Sequence, residues 1–267
     1  MSAQERERKG GIILIVYYRK NPLLFSLVLI AGYVFLVSLT DTVSAQIGVQ
    51  QIVTLPALLA VAVFLARFIR KNGLGPRFGL NPRRGLFSAR NLYLIPFAAI
   101  ASSNLWGGTA VNFPAYENAV IVLTMLLVGF VEEIIFRGFL FRAIADKNLK
   151  SAVIISSVSF GLGHIVNLLT AASVLETMLQ IAYATSIGFL FTIFFVKSGS
   201  LLPCIAVHGV VNALSAFAAP GNSVDHSIQA AILLILSAGY AVYLWKAVPG
   251  MALERGTAAA GPSGKRP

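Results

Sequence analysis

The sequence predicts an all-α fold, a polytopic bundle of transmembrane helices. Of its 267 residues, 57% are hydrophobic and only 12% are charged, and the mean hydropathy of +0.80 exceeds that of ordinary water-soluble domains. The chain also contains a series of apolar runs of roughly 20 residues, the length that an α-helix needs to cross about 30 Å of hydrocarbon. Because lipid cannot hydrogen-bond the backbone, we expect these runs to be helical.

About eight apolar runs are long enough to span a bilayer. A shorter run, Ile12–Tyr18, is followed by Arg19 and Lys20, and we expect it to form an interfacial helix. The sequence therefore predicts a single integral-membrane domain over residues 1–255 and a small, polar, disordered tail over residues 256–267. The predicted spans are Leu23–Thr40, Ile47–Ile69, Leu92–Val111, Ala119–Leu140, Ala152–Leu169, Val174–Val196, Leu201–Ala219 and Ile228–Val248.

Lysine and arginine residues predict the orientation of the spans, because they concentrate in cytoplasmic connectors. Alternate connectors carry basic residues, whereas the intervening ones carry acidic residues. This alternation predicts an even number of spans with both termini in the cytoplasm. The basic residues that set the pattern are Arg6, Arg8, Lys9, Arg19, Lys20, Arg67, Arg70, Lys71, Arg77, Arg83, Arg84, Arg90, Arg142, Lys147, Lys150, Lys197, Lys246, Arg255, Lys265 and Arg266.

The net charge does not indicate a nucleic-acid partner. The formal charge is +11, but the basic residues lie between apolar runs and do not line one face, as a nucleic-acid footprint would require. The single cysteine, Cys204, excludes an intramolecular disulfide, and we interpret it as a small buried residue. We therefore expect the lipid bilayer, and no nucleic acid, to surround this chain.

The stretch Val131–Arg142, VEEIIFRGFLFR, places ionisable side chains inside a run as apolar as a membrane span. Each ionised side chain at the centre of a span costs about 2.5 to 3.5 kcal/mol, so three facing lipid would cost roughly 8 to 10 kcal/mol. We therefore expect Glu132, Glu133 and Arg137 to face the protein interior. On an α-helix Glu133 and Arg137 share a face at i and i+4, which predicts an ion pair. Glu132 points about 100° away and has no local partner.

Two further spans carry polar side chains at the same spacing. Phe160 and His164 lie at i and i+4 in SFGLGHIVN, and His208 and Asn212 do so in CIAVHGVVNAL. At 1.5 Å per residue, Glu132, His164 and His208 lie about 15 to 21 Å from the cytoplasmic ends of their spans. Polar groups at similar depth on three helices predict a buried site.

Each of these side chains also has a structural interpretation. A lone histidine or asparagine in a span is more often an interhelical hydrogen-bonding residue than a catalytic one. A structural ion pair explains Glu133 with Arg137 equally well, packing explains Phe160, and a solvated loop explains His226. The functional hypothesis therefore depends on the combination of four side chains from three spans: Glu132, His164, His208 and Asn212.

One carboxylate, two imidazoles and one amide are the groups needed for hydrolysis by activated water. Glu132 would accept a proton from water with help from His164. His208 and Asn212 would donate hydrogen bonds to the oxyanion of a tetrahedral intermediate. Alternatively, Glu132, His164 and His208 form a His/His/Glu set of the type that binds catalytic zinc. The sequence leaves both mechanisms open, because the HExxH spacing is absent.

Three short motifs occur in order along the chain: EEIIFR fits EExxxR, FGLGH fits FxxxH, and HGVVN fits HxxxN. In a polytopic chain, this order resembles the CPBP family, the CAAX prenyl protease and bacteriocin-processing or self-immunity group, which includes the type II CAAX prenyl endopeptidases. The resemblance covers roughly Ala119–Ala216, and the earlier spans match only in hydropathy. It implies a hydrolase, described as metallo- or glutamate-dependent, whose substrates include C-terminal CaaX tails with a lipidated cysteine.

The resemblance also implies a role for each motif position. Glu132 would be the general base, and His164 would share the activation of water. His208 and Asn212 would form an oxyanion hole. Glu133, Arg137 and Phe160 would support the site.

We therefore expect a multi-pass intramembrane endopeptidase that hydrolyses a peptide bond of a membrane-associated substrate. We expect it in the plasma membrane of a prokaryote, with the site reached from the cytoplasmic side, and zinc is the one cofactor left open. The sequence also leaves two other hypotheses open. One is a proton-coupled transporter that uses Glu132 and the histidines as a relay, and the other is a non-catalytic immunity or scaffold protein whose polar cluster holds helices together.

Overall fold

Helices make up most of the described structure, as the sequence predicts. The β-type contact in the described part of the chain is an isolated bridge between Thr109 and Ala218, so the all-α class is confirmed. The tail predicted at residues 256–267 lies outside the described residues. This computed structural model describes residues 13–80, 95–170, 173–221 and 223–247.

Most of the helices follow one another with few intervening residues, and the longest connection runs from residue 72 to residue 94, of which the structure describes 72–80. One continuous helix, Ala115–Ala145, consists of α5, a π-helical segment at Ile134–Leu140 and α6, and α7 continues into a 3-10 helix at Gly163–Thr170. After a helix at residues 13–20 (α1), the described α-helices are α2 (Pro22–Ile47), α3 (Thr54–Lys71), α4 (Ile95–Ala101), α5 (Ala115–Glu133), α6 (Phe141–Ala145), α7 (Leu149–Leu162), α8 (Val174–Ser198), α9 (Leu202–Leu214) and α10 (Ser223–Ala247).

Five of the described helices are long and apolar enough to cross a membrane, compared with the eight spans expected. They are α2, the continuous helix Ala115–Ala145, α7 with its extension to Leu168, α8 and α10. The helix Leu202–Phe217 is apolar but shorter. The 18-residue α3 ends in a basic turn that contains Arg70 and Lys71, which lowers its mean hydropathy. The count of eight is therefore not established by length and composition.

The third predicted span, Leu92–Val111, is not one continuous helix. The helix α4 has only seven residues, and a single 3-10 turn, Ser103–Leu105, follows it. Serine and asparagine side chains such as that of Asn104 compete with helical hydrogen bonding. Gly108 then adopts φ +105°, a left-handed conformation that glycine accommodates without steric cost. Hydropathy identified the apolar run but not these local breaks.

The second predicted span also begins later than expected. The predicted start is Ile47, which is where α2 ends, and α3 begins only at Thr54. Gly48 caps α2 in the left-handed conformation, with φ 83°, and its N–H donates to the carbonyls of Ser44 and Ala45. The apolar residues after Gly48 concealed this turn, because hydropathy does not report backbone direction.

Close contact between α5 and α9 brings the predicted motifs together. A Cβ atom added at Gly129 would lie 2.4 Å from the backbone nitrogen of Gly209, so only glycine permits this helix spacing. Small residues allow such close approach between membrane helices. Gly129 precedes Glu132 by one turn, and Gly209 directly follows His208. The glycine contact therefore sets the distance between the carboxylates of α5 and the imidazole of α9.

The π-helical segment follows the two glutamates directly. All seven of its residues, Ile134–Leu140, are buried, and its wider turn departs from the α-helix that the sequence predicts here. π-Helical turns are rare and occur frequently at functional sites. In this chain the segment carries Arg137, whose side chain has no exposed surface. The deviation from α-helical geometry thus coincides with the charged motif.

Candidate active site

A buried charge cluster forms the base of the site. Arg137 Nη1 donates to Glu133 Oε1 at 2.8 Å, and both side chains are completely buried. The same carboxylate oxygen lies 2.9 Å from His208 Nδ1. Glu133 therefore connects the arginine of its own helix with the histidine of α9. The predicted ion pair is present, and its carboxylate also orients an imidazole.

Arg137 is held by an aromatic ring as well as by charge. Its guanidinium carbon lies 4.3 Å from the centroid of the Phe160 ring, a distance at which a cation–π contact is attractive. Longer contacts of 3.4 Å join its Nε to Thr192 Oγ1 and its Nη2 to the Gly188 carbonyl. Phe160 also packs edge-on against His164 and His208. The phenylalanine of the FxxxH motif thus supports all three polar groups.

Glu132 has partners on two other helices. The hydroxyl of Tyr33 on α2 donates to Glu132 Oε1 at 2.6 Å, and His208 Nε2 lies 3.5 Å from Glu132 Oε2. The Glu132 side chain is 16% exposed, in contrast to the fully buried Glu133. Glu132 has no partner on its own helix, as predicted, and its partners are distant in sequence. Tyr33 was missed because a single tyrosine in an apolar span carries no recognisable pattern.

The two ring nitrogens of His208 have different partners, which limits what the ring can do. If Nδ1–H donates to Glu133, Nε2 of the neutral imidazole is an acceptor. Donation from Nε2 then requires the imidazolium form, for which Glu132 and Glu133 supply counter-charges. An oxyanion-stabilising role for His208 therefore requires its doubly protonated state, a condition that the sequence did not reveal.

His164 and Asn212 line a cavity of about 380 Å³. Phe160, Asn104 and His208 line the same cavity. His164 belongs to the 3-10 helix after α7 and not to a regular α-helical span. The structure therefore brings both predicted histidines and the predicted asparagine to one cavity. Glu132 reaches this group through its contact with His208.

The cavity extends away from the basic helix ends. It runs along α8 as far as Glu176 and along α10 as far as His226, whereas Lys197 and Lys246 lie in the last turns of these helices. The expected orientation places the lysines in the cytoplasm. The cavity therefore opens at the helix ends opposite these lysines, and access from the cytoplasmic side stays a prediction.

His226 was predicted to be a solvated loop residue, and its side chain is exposed, but the residue does not belong to a loop. It lies on α10, and its Nδ1 is 3.4 Å from Glu176 Oε1 at the mouth of the cavity. Both side chains are partly exposed, so the contact adds only about 0 to 1 kcal/mol of stability. The helix begins earlier than hydropathy predicts, at Ser223 and not at Ile228, because its first turn is polar.

A metal site is not formed by the described side chains. No group of three or more His, Cys, Asp or Glu residues in the described ranges has the arrangement needed to hold an ion. Glu132, His164 and His208, the alternative zinc ligands, therefore do not meet here as a ligand set.

Comparison with known families agrees with this geometry. Residues 114–214 match the family model of type II CAAX prenyl endopeptidase Rce1-like. The matched region contains the EExxxR, FxxxH and HxxxN motifs, whereas Tyr33 lies outside it. No curated protein and no solved structure matches the chain. Together with the five long apolar helices, the family match makes this chain an integral membrane protein.

Proposed function

We propose that this chain, whose residues 114–214 belong to the type II CAAX prenyl endopeptidase Rce1-like family, is an intramembrane endopeptidase. Its substrate is a membrane-associated peptide or protein, a class that includes prenylated CaaX tails. The observation that carries this proposal is the half-buried Glu132, which lies between the Tyr33 hydroxyl and His208 Nε2. Placing an ionisable group inside an apolar helix bundle costs free energy, so such a group usually has a function.

Hydrolysis at this site begins with proton transfer from water to Glu132. The water oxygen forms a bond to the substrate carbonyl carbon, and His164 helps to orient the water. When the tetrahedral intermediate collapses, the carbon–nitrogen bond breaks, and Glu132 returns the proton to the leaving amine. A positioned carboxylate that transfers protons in this way contributes about 10²- to 10⁴-fold to the rate.

The intermediate carries negative charge on the former carbonyl oxygen. Asn212 supplies an amide donor from the cavity wall, and His208 supplies Nε2–H when its ring is doubly protonated. Donors aimed at this developing charge stabilise the transition state more than the substrate. Glu133 and Arg137 act indirectly, because Glu133 fixes the His208 ring and Arg137 balances the buried Glu133 charge.

The activity is tested with purified protein in proteoliposomes and a panel of lipidated and unlipidated membrane peptides. Wild type is compared with Glu132→Ala, and the products are identified by mass spectrometry. We expect cleavage by wild type and its loss in the variant. Equal behaviour of the two proteins on every peptide would reject Glu132 as the base, and proton flux through the proteoliposomes would then support the transporter hypothesis.

A chelator in a parallel arm tests the zinc alternative. The glutamate-dependent mechanism predicts that cleavage continues after prolonged treatment with a chelator. Loss of cleavage that returns only when zinc is added would instead assign the reaction to a metal-dependent mechanism. Both results are informative only for a peptide that the untreated wild type cleaves.

Tyr33 is proposed as a positioning residue for Glu132. Removing its hydroxyl in Tyr33→Phe should lower kcat by about 10- to 150-fold with KM unchanged, because a hydrogen bond to a charged group contributes about 1.5 to 3 kcal/mol. Steady-state cleavage kinetics measure kcat and KM, and the unfolding temperature measures the stability of the variant. Tyr116→Phe, at an exposed position on α5, is the control and should behave like wild type. A rise in KM at constant kcat would contradict the positioning role.

The orientation belongs to the same proposal. The helices that meet the length criterion account for part of the proposed topology. With α3, the α4 region and α9 added, the chain has enough helices for eight crossings, which place both termini in the cytoplasm. This topology keeps the basic residues on one side, as the charge rule requires. The proposed location is the plasma membrane of a prokaryote.

A further inference from the structure

We propose that Ser156 on α7 is a positioning residue for the reaction, although it belongs to none of the three motifs. Its hydroxyl holds the π-helical segment Ile134–Leu140 in the register that directs Arg137 towards Glu133. The inference deepens the proposed endopeptidase function and rests on it for the effect on rate. The effect on the geometry of the site does not depend on catalysis.

The hydroxyl of Ser156 reaches the backbone of another helix. Ser156 is completely buried, and its Oγ donates to the carbonyl of Phe136 at 2.9 Å. Serine and threonine side chains inside helices commonly donate to a carbonyl of their own preceding turn. Ser156 instead forms its hydrogen bond between helices. Four residues of α2 and α5 follow the common pattern, each donating to the carbonyl four residues earlier: Ser26, Thr40, Ser44 and Thr124.

The carbonyl of Phe136 also accepts the backbone hydrogen bond that defines the π-helical turn. Its donor is the N–H of Phe141, five residues later, whereas the donor in a regular α-helix would be the N–H of Leu140. A carbonyl oxygen has two lone pairs, so it can accept the Phe141 N–H and the Ser156 hydroxyl together. Ser156 therefore stabilises the wider turn at the point where it departs from α-helical geometry.

Holding this carbonyl fixes the backbone of Arg137. The peptide unit is planar, so the Phe136 carbonyl and the Arg137 N–H share one plane. From this backbone position, Arg137 Nη1 donates to Glu133 Oε1 at 2.8 Å. The same oxygen lies 2.9 Å from His208 Nδ1. Ser156 thus acts on the His208 ring through the π-helical backbone and the buried ion pair.

The next residue of α7 supports the side chain of the same arginine. Ser157 is also completely buried, and its Oγ donates to Thr192 Oγ1 at 3.4 Å. Thr192 Oγ1 also accepts from Arg137 Nε at 3.4 Å. Two consecutive serines of α7 therefore support Arg137, one at its backbone and one near its guanidinium. A hydrogen bond that only joined two helices would not need this arrangement.

Removing the Ser156 hydroxyl changes the balance between the two helical registers. All seven residues of the π-helical segment are buried, so water does not replace the lost donor. The Phe136 carbonyl then keeps only a backbone donor, and the α-helical bond from Leu140 competes with the π-type bond from Phe141. A shift towards the α-helical register changes the direction of Arg137 relative to Glu133.

The first measurement is the cleavage rate of Ser156→Ala in proteoliposomes. We expect kcat to fall by about 10- to 100-fold, because a displacement of about 1 Å at a catalytic group has an effect of this size. Ser156 does not line the cavity that contains His164 and Asn212. KM should therefore stay within about twofold of wild type, as expected when only the transition state loses stabilisation.

A second buried serine provides the matched control. Ser237 on α10 is also completely buried, and its Oγ donates to Ser186 Oγ on α8 at 2.7 Å and to the Leu233 carbonyl at 2.6 Å. Ser237→Ala removes the same atom from an interhelical hydrogen bond outside the motifs. We expect it to lose as much thermal stability as Ser156→Ala and to keep the wild-type kcat.

The second measurement is the tautomer of His208, read by ¹⁵N NMR of histidine-labelled protein in detergent. In the neutral ring, the contact with Glu133 predicts a proton on Nδ1 in wild type. Ser156→Ala should shift the equilibrium towards the Nε2–H tautomer, because Glu133 holds Nδ1 less firmly. Ser237→Ala should leave the tautomer unchanged. The chain has three histidines, so single substitutions to glutamine assign the signals.

A further variant keeps the volume of the side chain and weakens the donor. Ser156→Cys carries a thiol, which is a weak hydrogen-bond donor, and both kcat and tautomer should lie between those of wild type and Ser156→Ala. If Ser156→Ala matches Ser237→Ala in both measurements, Ser156 is an ordinary interhelical hydrogen bond and the proposal is wrong. Failure of both Ser156 variants to fold beside a folded Ser237→Ala would also overturn it.

The tautomer does not require catalysis, so the two proposals fail separately. If no peptide is cleaved but the tautomer shifts only in the Ser156 variants, the positioning of His208 stands and the endopeptidase function fails. If wild type and Ser156→Ala cleave equally well and share one tautomer, the function stands and the positioning role is wrong.

Discussion

Replacing Glu132 by glutamine is expected to lower the cleavage rate by about 10²- to 10⁴-fold, the contribution of a general base. The amide has nearly the same volume as the carboxylate, and its oxygen still accepts the hydrogen bond from Tyr33. Glu132→Gln should therefore fold like wild type while it loses the group that accepts a proton from water. Single-turnover cleavage and thermal unfolding in the same detergent measure the two properties.

A carboxylate outside the site provides the matched control for this variant. Asp146→Asn makes the same chemical change at an ion pair with Arg77 that lies outside the site, where both side chains are partly exposed. We expect its cleavage rate to stay within about twofold of wild type, because an exposed pair contributes only about 0 to 1 kcal/mol. A Glu132→Gln protein that cleaves as fast as Asp146→Asn would refute the general-base role.

Removing the Arg137 side chain is expected to give the largest loss of stability. In Arg137→Ala the fully buried Glu133 carboxylate loses its cation. Breaking a buried ion pair by removing one partner costs about 3 to 5 kcal/mol. We also expect Arg137→Lys to fold poorly, because an ammonium cannot reproduce the planar contact with Phe160 and the forked donors of the guanidinium. The unfolding equilibrium in detergent measures these losses.

A double variant separates the charge effect from lost packing. Glu133→Gln with Arg137→Gln removes both charges together, and it should recover more than half of the stability lost in Arg137→Ala. Cleavage should stay low, because the neutral amide holds His208 less firmly than the carboxylate does. An Arg137→Ala protein as stable as wild type would show that the buried pair does not support the fold.

Part of the site could be predicted because α-helices convert sequence spacing into geometry. The i, i+4 spacing of Glu133 and Arg137 predicted an ion pair, which is present at 2.8 Å. Equal depths predicted that Glu132 and His208 would meet, and they lie 3.5 Å apart. These inferences needed only the helical rise, the direction of each span and the cost of exposing charge to lipid.

Other parts of the site depend on contacts between distant residues. Tyr33 is separated from Glu132 by 99 residues, and no periodicity connects them. The position of His208 depends on the contact between Gly129 and Gly209, which hydropathy does not report. The π-helical turns after Glu133 lie in a segment whose seven residues are all buried, and the i, i+4 spacing in the sequence does not indicate them.

The direction of the cavity could not be predicted from charge. Lysine and arginine residues indicate which helix ends face the cytoplasm, but not at which end the helices separate. That separation depends on side-chain volumes and on cross-links such as Gln229 with Ser103. The prediction of one continuous span at Leu92–Val111 was wrong for a related reason. Polar residues and glycine break the helix locally, so α4 ends early.

A single turnover in ¹⁸O-labelled water tests the central claim most directly, namely that Glu132 activates water for attack on the peptide carbonyl. Enzyme in excess over a cleavable peptide would be quenched after one turnover, and both the product and the enzyme analysed by mass spectrometry. The account predicts one ¹⁸O atom in the new carboxyl group of the product and none in Glu132. Unlabelled product together with ¹⁸O in Glu132 would show that the carboxylate attacks the carbonyl itself, which would contradict the account.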